Sequence, residues 1–315
     1  MISVVIPVRN KAQLLDRCVG SIVAAAEKRA DIEVLLVENH SQDDTARLAR
    51  EMFGRRIAIL EAGAATAAAA RNEGAEKARG KLLCFLDSDV VVPQDFFDRL
   101  AALHERFPSA AIGCSVSLPA TGSWIDRTWG ALHESGFSGD VSLLNGACLA
   151  VPRQEFTAVG GFKSELVTGE DADLCLRLIE SGVRVLEFQE LRTIHLDNPQ
   201  TVGEFFRKEA WRGIGALATV RRNRIDRPAT LTLLHGFMVA AAVTIAVLAR
   251  FQLPSLLVAL SLSQAVPLLA VGYRSARAPH PPALLPSLLL YQVYFLARLW
   301  SYRQILAAQF RTAPA

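Results

Sequence analysis

Two carboxylates, Asp87 and Asp89, stand one residue apart at the end of the unbroken apolar run Leu82-Leu83-Cys84-Phe85-Leu86. A short run of that kind reads as a strand buried on both faces, as in a parallel sheet. Open α/β sheets bind ligands at the carboxyl ends of their strands. Hard oxygens there suit Mg2+ or Mn2+, which usually reaches a protein through one or two carboxylates plus a substrate phosphate. Two solvated acids in a turn would look the same, so the rest of the chain must discriminate. Glu38 closes a second apolar run, where an acid accepts hydrogen bonds from a nucleobase or ribose, or else is a solvated loop acid. Arg71 is a candidate to answer phosphate charge. Further along, Thr168 and Asp171 have capping-box spacing, with Asp in place of the preferred Glu. That puts Glu170 and Asp171 at a helix N-terminus, where the dipole favours ionised carboxylates.

The elements that must position these groups follow from periodicity. Residues 2–6 form a strand closed by Pro7, 12–28 an amphipathic helix, 32–37 a strand, and 57–60 a shorter strand. Ser41 and Asp43 are candidate N-caps for the helix after residue 45. Gly63 to Ala70 is a run of small residues, then Arg71 lies in a helix that Gly80 stops before the strand at 82–86. Strand and helix alternating with short loops specify a doubly wound, mainly parallel sheet. A helix over 93–107, a strand over 111–118, an irregular stretch at 119–140, a strand over 143–152 and one from 183 complete this part. The irregular stretch carries Trp124, Trp129 and His133 and is either an acceptor-side loop or a packing loop.

The segments Val5-Ile6-Pro7-Val8-Arg9-Asn10, Val37-Glu38-Asn39-His40-Ser41-Gln42-Asp43-Asp44-Thr45, Ala70-Arg71-Asn72-Glu73-Gly74 and Phe85-Leu86-Asp87-Ser88-Asp89 resemble family 2 glycosyltransferases of the GT-A fold, in the family's order, over roughly residues 1–200. The family pattern at the second segment is usually Val-Asp-Asp-Gly-Ser-x-Asp-x-Thr. Here Glu38 replaces the first Asp, Asn39 the second and His40 the Gly. The resemblance implies a Rossmann-like α/β sheet with flanking helices, and transfer of a sugar from a UDP-, GDP- or dTDP-sugar. It implies that Pro7, Arg9, Asn10, Glu38, Arg71, Asn72, Asp87 and Ser88 bind the nucleotide sugar. A divalent cation, Mg2+ or Mn2+, would sit on Asp89 with Asp87 and His195, although a lone His is also often structural. By the same match Asp171 is the base, Glu170 positions the acceptor, and the anomeric carbon inverts.

The remainder is apolar. Hydrophobic residues make up 51% of the 315, more than a soluble enzyme needs. Residues 201–220 read as a basic amphipathic helix, either interfacial or packed on the catalytic domain. A processive member of the family would carry Gln-x-x-Arg-Trp nearby, whereas this chain has Glu209-Ala210-Trp211-Arg212. Residues 231–249 and 253–272 each match the roughly 20 residues that cross about 30 Å of hydrocarbon. Residues 283–300 hold Pro286 and Arg298 and read equally as a third span or an interfacial helix. Arg221, Arg222, Arg224 and Arg227 before the first span, and Arg274 and Arg277 after the second, put the catalytic part in the cytoplasm by the positive-inside rule. The expected division is a catalytic domain at 1–228 and a membrane region at 229–315, multi-pass in the cytoplasmic membrane, with a lipid-linked or glycan acceptor. No signal peptide is expected, since Arg9 interrupts the first apolar run. Five cysteines without CxxC spacing read as reduced, buried thiols. A net charge of +3 argues against nucleic acid as a partner. Two alternatives remain: a sugar nucleotidyltransferase, disfavoured because the loop after the first strand has no glycine, and an inactive binding or scaffold protein.

Overall fold

The computed structural model describes residues 1–315 except 64–65, 115, 118, 120–121, 134–136, 221–226 and 313–315; the side chains of 116, 216–220 and 306–312 also lie outside the description. In chain order the first elements are β1 (Ile2–Val8), α1 (Cys18–Ala26), β2 (Ile32–Glu38), α2 (Thr45–Phe53), β3 (Ala58–Glu61), α3 (Ala67–Lys77) and β4 (Leu82–Leu86). Then come β5 (Val90–Val91), α4 (Phe96–Arg106), β6 (Ala111–Gly113), β7 (Val116–Ser117), α5 (Trp124–His133), β8 (Gly139–Asp140), β9 (Cys148–Pro152), α6 (Arg153–Ala158) and α7 (Glu170–Glu180). The chain closes with β10 (Val185–Glu187), a 3-10 turn at Gln189–Leu191, β11 (Thr193–His195), α8 (Val202–Val220), α9 (Arg227–Leu248), α10 (Leu253–Ser275) and α11 (Leu284–Thr312).

The chain divides into two compact units, residues 1–119 with 135–198, and residues 120–134 with 199–315. Helices α5 and α8 thus go with the C-terminal helices in the second unit.

The first unit is built on an eight-stranded sheet in the order β3-β2-β1-β4-β9-β6-β10-β8. The β1, β2, β3 and β4 side is parallel, whereas β9 runs antiparallel to both β4 and β6. The sheet is thus mainly parallel, with β9 reversed at its centre and β8 reversed at its edge. Alternation along β4 sends Leu82, Cys84 and Leu86 into one apolar layer with α1 and α4, and Leu83 and Phe85 into the other with α3 and α7. Five fully buried residues in β4 explain its uniform composition. A smaller sheet, β5-β11-β7, stands beside the first; in it His195 pairs with Val90.

Several boundaries differ from the sequence reading. Pro7 does not close β1, which continues to Val8 with Pro7 opposite Val37. Helix α1 begins at Cys18 instead of 12, and residues 12–17 form turns, with Leu14 N donating to Lys11 O at 2.9 Å. The run 111–118 breaks into β6 and β7, which belong to different sheets. The stretch at 119–140 is not irregular throughout, since 124–133 is helical. The N-cap of α7 is Gly169 at φ 79°, with no side-chain cap, so Thr168 does not close a capping box. All five cysteines are free and buried.

In the second unit, Trp129 of α5 packs on Phe205 of α8 and on Tyr291 and Tyr294 of α11, with ring centroids 4.9, 5.2 and 5.6 Å apart. Phe205, on the apolar face of α8, is thus covered by α5 and α11. Glu209 of α8, 1% exposed, is paired by Arg298 of α11 and by Arg212. At Gly213 the two helices approach so closely that a Cβ would lie 2.2 Å from Ser301 Oγ. Helices α9 and α10 are the two described helices long and apolar enough to cross a membrane, and only 22% and 17% of their apolar windows are buried within the chain. Phe237, Leu248 and Leu269 on them are 72, 78 and 71% exposed. Helix α11 is longer but carries the charged Arg298 inward. Arg221, Arg222 and Arg224 lie outside the described residues.

Candidate active site

Parallel strands β1, β2 and β4 deliver their carboxyl ends to one rim, and the reversed strand β9 delivers its entry loop to the same rim. Asp87 and Asp89 follow β4 directly. The Asp87 amide donates to Ala147 O at 3.4 Å, and one residue earlier the Gly146 amide donates to Asp171 Oδ2 at 3.1 Å. The loop before β9 therefore touches both acidic motifs.

Arg71 of α3 ties them a second time. Its Nη2 donates to Asp87 Oδ1 at 2.6 Å and its Nη1 to Glu170 Oε1 at 2.8 Å. The side chain is 4% exposed, lies over Phe162 at 5.4 Å, and leaves Nε buried without a partner among the described residues. Burial pulls the guanidinium pKa down, and Asp87 and Glu170 more than offset this, so its pKa ends above the ordinary arginine value. Glu170 goes the other way. Burial raises its carboxyl above the usual range, Arg71 opposes this, and the neighbouring Asp171 adds to the rise. Asp171, half-buried, takes hydrogen bonds from its neighbour Ala172 N at 2.8 Å and from Gly146 N, which orients its carboxylate.

Asp89 faces a different cluster. Its Oδ2 accepts from Lys11 Nζ at 2.7 Å, and Lys11 also pairs with Asp197. His195 Nε2 lies 3.2 Å from Asp89 Oδ1, an oxygen that is buried and has no hydrogen-bond partner among the described residues. The β11–β5 pairing fixes this approach, reinforced by Leu196 N donating to Asp89 O at 2.9 Å. Burial depresses the Lys11 ammonium, but Asp89 and Asp197 outweigh it and raise its pKa overall. Among the described residues, no three His, Cys, Asp or Glu side chains stand grouped to hold a metal ion by themselves. A carboxylate oxygen lacking a partner beside an imidazole still fits one ion whose other ligands come from a bound phosphate.

At the β1 and β2 end, Glu38 is 7% exposed and its Oε1 accepts from Ser41 N at 2.6 Å. Asn10, at φ 52°, links the two loops: its amide donates to Ser41 Oγ, and its Oδ1 accepts from Gln42 N. His40 is also left-handed at φ 52°. Pro7 is half-buried and Arg9 exposed at this rim.

Among the expected nucleotide-sugar ligands, Arg71, Asn72 and Asp87 also make contacts within the chain. Arg71 directs one N–H of each terminal nitrogen to a carboxylate. Asn72 spends its amide on Phe162 O, Phe162 N and Ser164 Oγ, which pins the loop before α7. Ser88 is 4% exposed. Asp87 Oδ1 is held by Arg71, on the side of Glu170. The sequence reading missed Lys11 and Asp197; the only available signal was a cation just past β1 and an acid two residues past His195.

Comparison with known proteins completes the picture. The glycosyl transferase family 2 model matches residues 3–136, and the glycosyl transferase family group 2 model matches residues 82–299, more than half of the chain. Glycosyltransferase AglE of Haloferax volcanii is 26% identical over 233 residues, 71% of this chain and 76% of its own length. The pre-mycofactocin glycosyltransferase of Mycobacterium tuberculosis is 29% identical over 254 residues, 76% of this chain but 51% of its own length. In fold, the chain is similar to the mannosyltransferase PcManGT of Pyrobaculum calidifontis, solved with GDP-Man and Mn2+ (TM-score 0.56, 17% identity, 96% of this chain and 84% of that one). It is also similar to S. aureus TarS in complex with UDP-GlcNAc (TM-score 0.52, 16% identity, 96% and 91%). These matches set aside the nucleotidyltransferase alternative. With a mainly parallel sheet presenting Asp87, Asp89 and Asp171 at one rim, and with family models spanning both its halves, the chain belongs to the family 2 glycosyltransferases.

Proposed function

We propose that this chain is an inverting, cation-dependent transferase that moves a glycosyl group from a nucleoside-diphosphate sugar to an acceptor at a membrane surface. One observation carries the reading: Arg71 and the loop before β9 each join the Asp87 end of β4 to the start of α7, so donor-side and acceptor-side acids share one rim. Glu38 and the Asn10-Ser41 bridge form the nucleoside end. Asp171 accepts the proton of the acceptor hydroxyl as it attacks the anomeric carbon opposite the leaving diphosphate, a contribution of about 10²–10⁴-fold. Attack from that face inverts the centre. Glu170, pinned by Arg71, orients the acceptor.

Asp89, with His195 beside it, would hold a divalent cation together with phosphate oxygens of the donor. Such an ion supplies neutralisation of the charge that grows on the diphosphate. The Mn2+ in the PcManGT complex supports that choice. The donor class, a nucleotide sugar of the UDP, GDP or dTDP series, is supported by the GDP-Man and UDP-GlcNAc complexes of the two fold relatives. The exposed apolar surfaces of α9 and α10 support a multi-pass membrane anchor, and the arginines flanking these helices favour a cytoplasmic catalytic unit. A lipid-linked or membrane-bound glycan acceptor follows from that anchor.

The test uses the full chain in detergent with Mn2+ or Mg2+, a panel of nucleotide sugars, and proton NMR of the product's anomeric configuration. One donor is consumed with inversion, Asp171→Asn lowers turnover by at least about 10²-fold, and Asp89→Ala abolishes it. Retained configuration, or a fully active Asp171→Asn, refutes the mechanism.

A further inference from the structure

We propose that Lys11 competes with the divalent cation for Asp89 and, once displaced, becomes a ligand of the donor's diphosphate. The proposal rests on the cation reading above and deepens it. Lys11 Nζ stands 2.7 Å from Asp89 Oδ2 and is paired with Asp197 as well, so one ammonium spans two acids that come from distant parts of the chain. Asp89 is the acid whose other oxygen lies beside His195. An ammonium on Oδ2 and a divalent ion on Oδ1 would share one negative charge and repel each other across a single carboxylate, so each weakens the other's hold on Asp89.

The position of Lys11 decides where the displaced ammonium goes. Its backbone is fixed, because its amide donates to Thr45 Oγ1 at 2.7 Å and its neighbour Ala12 N to Asp43. Only the flexible four-carbon stem is left to move. The stem starts at the carboxyl end of β1, between Glu38 at the nucleoside end and Asp89 at the cation end. A pyrophosphate joining a nucleoside to a cation-bound phosphate lies across that interval. Asp197, 58% exposed at its side chain, holds the ammonium only loosely. Lys11 would thus couple ion and donor: the ion enters Asp89 readily only when the diphosphate offers the lysine another anion.

The test measures Mn2+ binding to the full chain by electron paramagnetic resonance, with and without GDP or UDP, for wild type, Lys11→Met, Lys11→Gln and Asp89→Asn. In the absence of nucleotide, Lys11→Met binds Mn2+ at least about tenfold more tightly than wild type. At saturating Mn2+ it binds the nucleoside diphosphate at least about tenfold more weakly, each a change of about 1.4 kcal/mol. Lys11→Gln, without charge, behaves as Lys11→Met and serves should that variant fold poorly. Unchanged or weaker Mn2+ affinity in both lysine variants overturns the role of Lys11 while leaving the cation reading intact. Mn2+ binding by Asp89→Asn equal to wild type overturns the cation reading itself, and the proposal with it.

Discussion

Arg71 offers the sharpest test of how the site is assembled. Replacing it by Met keeps much of the stem's bulk but leaves Asp87 and Glu170 facing a cavity without their shared cation. Breaking a buried ion pair by removing one partner costs about 3–5 kcal/mol. The stranded acids are 28 and 14% exposed, so water reaches them and the lower end, about 3 kcal/mol, is the better figure. At roughly 2–4 °C per kcal/mol, the melting temperature of the catalytic unit falls by about 6–12 °C. Turnover falls further than stability alone requires, because α7 loses the tie that fixes Glu170 beside Asp171. Misplacement by about 1 Å costs on the order of 10²-fold. Arg71→Lys restores charge but has a single nitrogen in place of the two that reach Asp87 and Glu170 separately, so it recovers part of the stability and little of the turnover. Adding Glu170→Gln to Arg71→Met removes one stranded charge, and the double variant melts above the single one. The assay pairs thermal unfolding with donor consumption at saturating substrate. If Arg71→Met melts within 2 °C of wild type, or Glu170→Gln fails to relieve it, Arg71 is not what joins the two motifs.

Three more outcomes follow from local geometry. His40→Gly raises stability by about 1 kcal/mol, since a left-handed backbone costs an L side chain that much, and a lower melting temperature would contradict it. Gly213→Ala costs about 1–3 kcal/mol through the clash with Ser301 Oγ, and Ser301→Ala in the same chain recovers most of it; additive losses would count against the close helix approach. Burial alone would raise the Glu33 carboxyl, but hydrogen bonds from Ser3 Oγ, the Arg79 amide and the Arg79 guanidinium hold it below its ordinary value. Its contribution is therefore present above an unfolded pKa of about 4.3 and lost as pH falls through the lower folded value. The melting-temperature gap between wild type and Glu33→Gln should be wide at pH 7 and close below about pH 4.

The sequence discloses what local pattern controls. Strand β4 has the bounds its apolar run implied, because every one of its five residues is buried and polar residues bracket it. Acids at carboxyl ends of strands point to the rim for the same reason. What the letters hide is long-range pairing. Lys11 meets Asp89 across 78 residues and Asp197 across 186, and only the registry of β11 on β5 brings the last of these near. Arg71 meets Glu170 across 99 residues, a pairing its local sequence does not announce. Helix α5 was missed because the surface that buries Trp129 and Leu132 comes from helices more than seventy residues downstream. Residues 116–117 continue the β pattern of 111–113 but leave the main sheet for β11, a choice their composition does not encode.

The reversal of β9 bears on how such enzymes change acceptors. A strand running parallel to β4 would send its entry loop to the opposite edge of the sheet and bring only its exit to the donor. Running the other way, β9 presents residues 145–147 beside Asp87 and Asp171, while the proposed nucleoside end lies on loops from β1 and β2. On the proposed function, acceptor preference and nucleotide preference would reside on separable pieces of chain. Exchanging the segment ahead of β9 between relatives should retarget the product without re-engineering how the activated sugar is held.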